Sequence, residues 1–218
     1  MDFEKDYIMR MIHMLGDLMR RVLERVDRRE RAEMLNSACR ETCGMTLEAG
    51  EVLGAQSLID MLAPIPRLMM SELLAAKAEA LELLPEDADA LALQSLRLLA
   101  SLSAEGHLCE LRAQRLTDLK ARVLPLLNGE DLMACARFFA QAERFDEMED
   151  ALFEALPLCA PETREAARQE AILLLRQAAK AGEQSLALCH MTAHELRESA
   201  RELETLPDDT AHEQENSV

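Results

Sequence analysis

An all-α fold made of antiparallel helical hairpins is what this amino-acid sequence predicts, for three reasons. Leu, Ala, Glu and Arg dominate, while glycine and proline occur only seven times each. Apolar residues recur at steps of three and four, not in the alternation of a half-buried strand. Asn128-Gly129, a dipeptide that could turn a hairpin, falls between leucine-rich helical patterns instead of strand-like runs. With 49% hydrophobic residues in 218, the chain has enough apolar side chains for one sizeable core or two small ones.

The elements follow in order. Asp2 can cap a first helix reaching about Asp27, along which Ile8, Ile12, Leu15, Met19, Val22 and Val26 repeat as a heptad seam, widened by Met11, Leu18 and Leu23. That stripe is expected to dock on the rest of its own chain, the alternative being a homodimer through residues 8–26. A second helix is predicted from Arg29 to about Cys43, ended by Gly44, and a third from Leu47 to Leu62, stopped by Ala63-Pro64-Ile65-Pro66. Further helices are expected over 67–84, 86–102, 108–127, 130–141, 144–158, 162–181 and 183–206, punctuated by Pro85, Gly106, Asn128-Gly129, Pro161 and Gly182. The expected organisation is a helical region over 1–64, a repeat region over 65–206 and a disordered acidic tail over 207–218.

Charge narrows the function classes. A formal net charge of −17 repels phosphate backbones and anionic lipid surfaces, so neither nucleic acid nor membrane is an expected partner. The opening MDFEKDYIMR lacks the apolar run of a signal peptide, and no apolar run is long enough to span a bilayer, which predicts a cytoplasmic protein. Six irregularly spaced cysteines read as reduced thiols. Residues 20–31, RRVLERVDRRER, form a basic island that reads as a solvated helix end with pairs such as Glu24–Arg28, or as a dock for an acidic segment.

Four of the five phenylalanines sit in FFAQAERFDEMEDALFEAL, residues 138–156. Counted from Gly129, Leu132 is fourth, small Ala136 eighth, Phe139 eleventh, Phe145 seventeenth, Leu152 twenty-fourth and Ala155 twenty-seventh, with Pro161 closing the window. Small alanines let two helices approach while the aromatics fill the space beside them. Residues 129–162 thus resemble a tetratricopeptide repeat, with Met148 standing where that family prefers alanine. LAAKAEALELLPEDADAL, residues 74–91, matches in part. The resemblance implies a right-handed α-α superhelix, the alternative being an irregular helical bundle. It also implies a non-enzymatic scaffold binding a protein or peptide segment, with Met133, Arg137 and Gln141 facing a groove and Arg164 and Arg168 on the next helix. Separately, FEKDYIMRMI, residues 3–12, resembles the start of a family of Gram-positive gut bacteria with no assigned activity. It implies a bacterial, cytoplasmic setting and brings no site residues.

Few constellations point to chemistry. His190 and His194 are four apart in CHMTAHE and would share a face on one continuous helix, the basis of an alternative metal-dependent hydrolase or metal sensor. The glutamate follows the second histidine, unlike the H-E-x-x-H order of metalloproteases. Cys39 and Cys43 share the same spacing, and without a second cysteine pair at matching spacing they read as small buried hydrophobes. Gly-rich phosphate loops and nucleophile elbows are absent, so no catalytic residue and no cofactor is expected.

Overall fold

Helix starts fall where a side chain or a proline can deal with the unpaired N–H groups of a first turn. The computed structural model describes residues 3–104 and 109–205, all-α, with no strand among them. Asp27 accepts from Arg29 and Glu30 N–H, Thr46 from Ala49 N–H and Asn128 from Asp131 N–H; Pro64, Pro85 and Pro161 occupy first-turn positions that need no donor. Two compact units part at Leu127–Asn128.

The first unit contains α1 (Phe3–Glu24), α2 (Arg28–Cys43), α3 (Leu47–Met61), α4 (Pro64–Ala80), α5 (Pro85–Ala100) and α6 (Cys109–Val123), with a single 3₁₀ turn at Leu124–Leu126. Its centre is the α4–α5 pair. Arg67 on α4 reaches Ser101 just past α5, and Ser71 meets Ser95, so the two helices run antiparallel. The buried serines exchange bonds: Ser71 Oγ donates to the Ser95 carbonyl at 2.9 Å, and Ser95 Oγ donates to that of Ser71 at 2.8 Å. Small side chains at this contact let the backbones approach closely enough for that exchange. Arg67 also donates to the carbonyls of Ile59 (2.7 Å) and Leu62 (2.9 Å), tying the end of α3 to the start of α4.

One apolar cluster runs from Leu18 and Val22 of α1 through Leu35 and Cys39, Leu47 and Leu58, Met70, Leu73 and Leu74, to Leu91 and Leu98 of α5. Ala63-Pro64, the expected domain boundary, is therefore a helix start inside this unit, with one core on both sides of it. The C-terminal half of α1 docks on its own chain, as Leu18 and Val22 show. Val26 does not extend the stripe: α1 ends at Glu24, Asp27 caps the next helix, and Val26 is 94% exposed between them. The side chains of Ile8, Ile12 and Leu15 lie outside the described residues, as do Gly106, Leu108 and the acidic tail. In the basic island Glu24 pairs with Arg20, not Arg28, and Arg31 turns inward to donate to the Ala80 carbonyl at the end of α4 (2.5 Å).

α3 departs from a regular helix. Gly54 has φ +74°, a left-handed conformation that costs a glycine least, and kinks the helix two residues after the exposed Val52.

The second unit contains α7 (Gly129–Gln141), α8 (Phe145–Ala155), a 3₁₀ turn at Leu156–Leu158, α9 (Pro161–Ala178), α10 (Glu183–Leu188) and α11 (Ala193–Thr205). α7 and α8 form its tightest hairpin, with Leu132, Ala136, Phe139, Phe145, Met148, Leu152 and Ala155 all buried. Phe138 and Phe139 meet edge to face at 6.4 Å between ring centroids. The turn between them is a Schellman motif: Arg144 N–H reaches the Phe139 carbonyl and Glu143 N–H that of Ala140, with Glu143 at φ +56°.

The single helix expected over 183–206 is broken. His190 (φ +55°) ends α10 in a second Schellman turn, and Thr192 opens α11 with a capping box, its Oγ1 accepting from Glu195 N–H while Glu195 accepts from Thr192 N–H. Cys189, in that break, donates to the Glu143 carbonyl at 3.0 Å and pins one turn against the other.

Candidate functional site

The surface of α7 and α9 holds two of the five residues expected at a groove, Arg137 and Gln141. Arg137 is 47% exposed and grips Glu170 of α9 through both arms of its guanidinium, Nε to Oε1 at 2.5 Å and Nη2 to Oε2 at 2.8 Å. The pair polarises both members. The bond from Arg137 holds the Glu170 carboxyl below its ordinary range, with burial opposing, and the bond to Glu170 holds Arg137 above its own. Gln141 is exposed one turn further along α7, and Leu173, 55% exposed, stands one turn along α9 from Glu170.

Three expected groove residues have other duties. Met133 is 2% exposed and belongs to the core, because α7 is covered on two sides, by α8 and α9. Arg164 donates to the Cys159 carbonyl at 3.2 Å, and Arg168 reaches Glu165 and the Leu203 carbonyl (3.3 Å), fastening α9 to α11. Their charge serves packing.

The histidine pair does not assemble. His190 occupies the left-handed turn after α10 and His194 the first turn of α11, 81% exposed and 3.8 Å from Glu198. A capping box between them removes the common helical face that the spacing implies. Among the described residues no three His, Cys, Asp or Glu side chains converge in a way that could hold a metal ion.

The first unit holds a cluster that sequence spacing half showed. Cys39 and Cys43 stand one turn apart at the end of α2, and the buried Cys39 Sγ lies 4.0 Å from Met70 Sδ on α4. Cys43 is half-buried; its sulfur is 3.3 Å from the Pro66 carbonyl and 3.4 Å from Thr42 Oγ1. The two thiols diverge. Donation to Cys43, reinforced by burial, drives the Cys39 thiol far above its ordinary value, and the bond accepted from Cys39 draws Cys43 down to about 7 against the opposing effect of burial. The cue in sequence was the i,i+4 cysteine pair; that a thioether thirty-one residues on completes it is set by the α2–α4 packing.

Among the described residues, no helix is long and apolar enough to cross a membrane. No family model, curated protein or solved structure matches the chain.

Proposed function

We propose that the second unit is a degenerate tetratricopeptide-type module that holds a protein or peptide segment on the surface shared by α7 and α9. The observation that carries this reading is the Arg137–Glu170 fork. It bridges two helices at partial exposure, with a polar side chain (Gln141) and an apolar one (Leu173) beside it. A partner's carboxylate or main-chain carbonyl can compete for one arm of the guanidinium, while an apolar side chain covers Leu173. Support for the family reading comes from the buried small–aromatic pattern of the α7–α8 hairpin. The net charge of −17 favours a partner that is not itself strongly acidic, and a bacterial cytoplasmic setting belongs to the same reading.

A charge swap tests it. Arg137→Glu with Glu170→Arg restores an ion pair and so keeps the α7–α9 contact, but reverses the field a partner meets. Affinity capture from the native cell should recover a protein with the wild-type chain and lose it with the swapped chain at matched melting temperature. Equal recovery of the same partner by both would remove this surface as the site.

A further inference from the structure

We propose that Cys39, Cys43 and Met70 form a three-sulfur site for one Cu(I) ion, in the first unit and independent of the binding surface on the second. Two helices build it. Spacing of i,i+4 puts both thiols on one face of the last turns of α2, and that face packs on α4, where Met70 is fully buried.

Separation and donor type both fit. Trigonal coordination with metal–sulfur bonds of about 2.3 Å needs sulfurs about 4 Å apart, and Cys39 Sγ and Met70 Sδ are 4.0 Å apart. Thiolate with thioether is the soft set that selects Cu(I), whereas zinc sites are built from four donors in which a thioether has no usual place. Gly50 leaves room for the thioether: a Cβ there would lie 2.9 Å from Met70 Sδ and 2.8 Å from its Cε, and the end of the Met70 side chain would have to shift. Half-buried Cys43 gives a way in from the surface, with Cys39 and Met70 behind it.

Loading is a ligand exchange without change of oxidation state. Cu(I) displaces the two thiol protons to solvent, both cysteines bind as thiolates, and Met70 donates a lone pair of its neutral sulfur. The Cys43 contact to the Pro66 carbonyl is given up, while Thr42 Oγ1, 3.4 Å from the Cys43 sulfur, donates its proton to the Ala38 carbonyl at 2.8 Å.

The test is anaerobic titration of the full chain with Cu(I) against a chromophoric Cu(I) chelator, with circular dichroism to verify the fold of each variant. The wild-type chain should retain about one ion per chain with an all-sulfur X-ray absorption shell. Cys43→Ser, a near-isosteric change at a half-buried position, should weaken retention at least a hundredfold. Met70→Leu, which keeps the volume but removes the thioether, should weaken it about tenfold, and Cys135→Ala, a buried thiol of α7, should leave it unchanged. Retention by Cys43→Ser equal to wild type, or a shell containing nitrogen or oxygen, would overturn the assignment.

Discussion

Replacing Gly129 with alanine sets two effects of opposite sign against each other, and the structure says which wins. In a helix alanine is favoured over glycine by about 1 kcal/mol, so propensity alone predicts a more stable protein. A Cβ at Gly129, however, would lie 2.5 Å from Cys159 Sγ, 2.7 Å from Cys159 N and 2.8 Å from Cys159 Cα. The sulfur could swing aside, but the two backbone atoms cannot, because they belong to the short link between the 3₁₀ turn at Leu156–Leu158 and Pro161 of α9. The start of α7 must therefore move by several tenths of an ångström or more. That overpacking costs about 1–3 kcal/mol. It also strains the box in which Asn128 and Asp131 each accept the other's N–H (2.9 and 3.3 Å), worth about 1 kcal/mol. The sum, less the propensity gain, is a loss of about 2 kcal/mol, measurable as a lowered urea midpoint at unchanged slope. Adding Cys159→Ala should not restore stability, since the backbone clash remains. A stability gain in Gly129→Ala would refute the close approach of α7 to Cys159.

Other consequences follow from single contacts. Ser71→Ala should cost about 1 kcal/mol, and a cycle with Ser95→Ala should show coupling of about the same size, since the serines exchange bonds across α4 and α5; denaturant melts of the four proteins check it. Glu143→Gly should stabilise by about 0.5–1 kcal/mol in the same assay, by relieving a left-handed backbone while keeping the carbonyl that Cys189 uses. Glu72, 22% exposed beside Arg115, has its carboxyl raised by burial, with Arg115 opposing. A folded value above the unfolded one gives stability that is fully present below about pH 4.3 and lost as pH rises through the folded value. Glu72→Gln should therefore compare more favourably with wild type at pH 7 than at pH 4, and a difference of opposite sign would show that Arg115 dominates.

What could be read in advance divides by physical range. Helices announced themselves through local signals: Gly44 after α2, Pro64, Pro85 and Pro161 at first turns, and the small–aromatic spacing of residues 129–162 all act within a few residues. The break at Cys189–Thr192 was just as local, since Thr192-Ala193-His194-Glu195 is a capping-box sequence, but the apolar period running through it masked the signal. Gly54 was visible as a glycine, though not as a kink, because a glycine inside a helical pattern can adopt either a helical or a left-handed backbone. The unit boundary lay at Asn128, a strong cap, and not at Pro64, whose flanks share one apolar cluster and are tied by Arg67 to the carbonyls at the end of α3. Site residues were the least legible. Arg137 and Glu170 are thirty-three residues apart, and only the packing of α7 on α9 makes them a pair. The same packing buries Met133 and turns Arg168 toward α11.

The binding reading is tested most directly by a photo-crosslinking residue placed at Gln141, exposed on α7 one turn from Arg137, with Asp150, likewise exposed on α8, as the comparison. Irradiated in the native cell, the Gln141 position should form a discrete adduct with another protein, lost when Arg137 and Glu170 are swapped, and the Asp150 position should not. An adduct from Asp150 and none from Gln141, or one that survives the swap undiminished, would contradict a binding surface on α7 and α9.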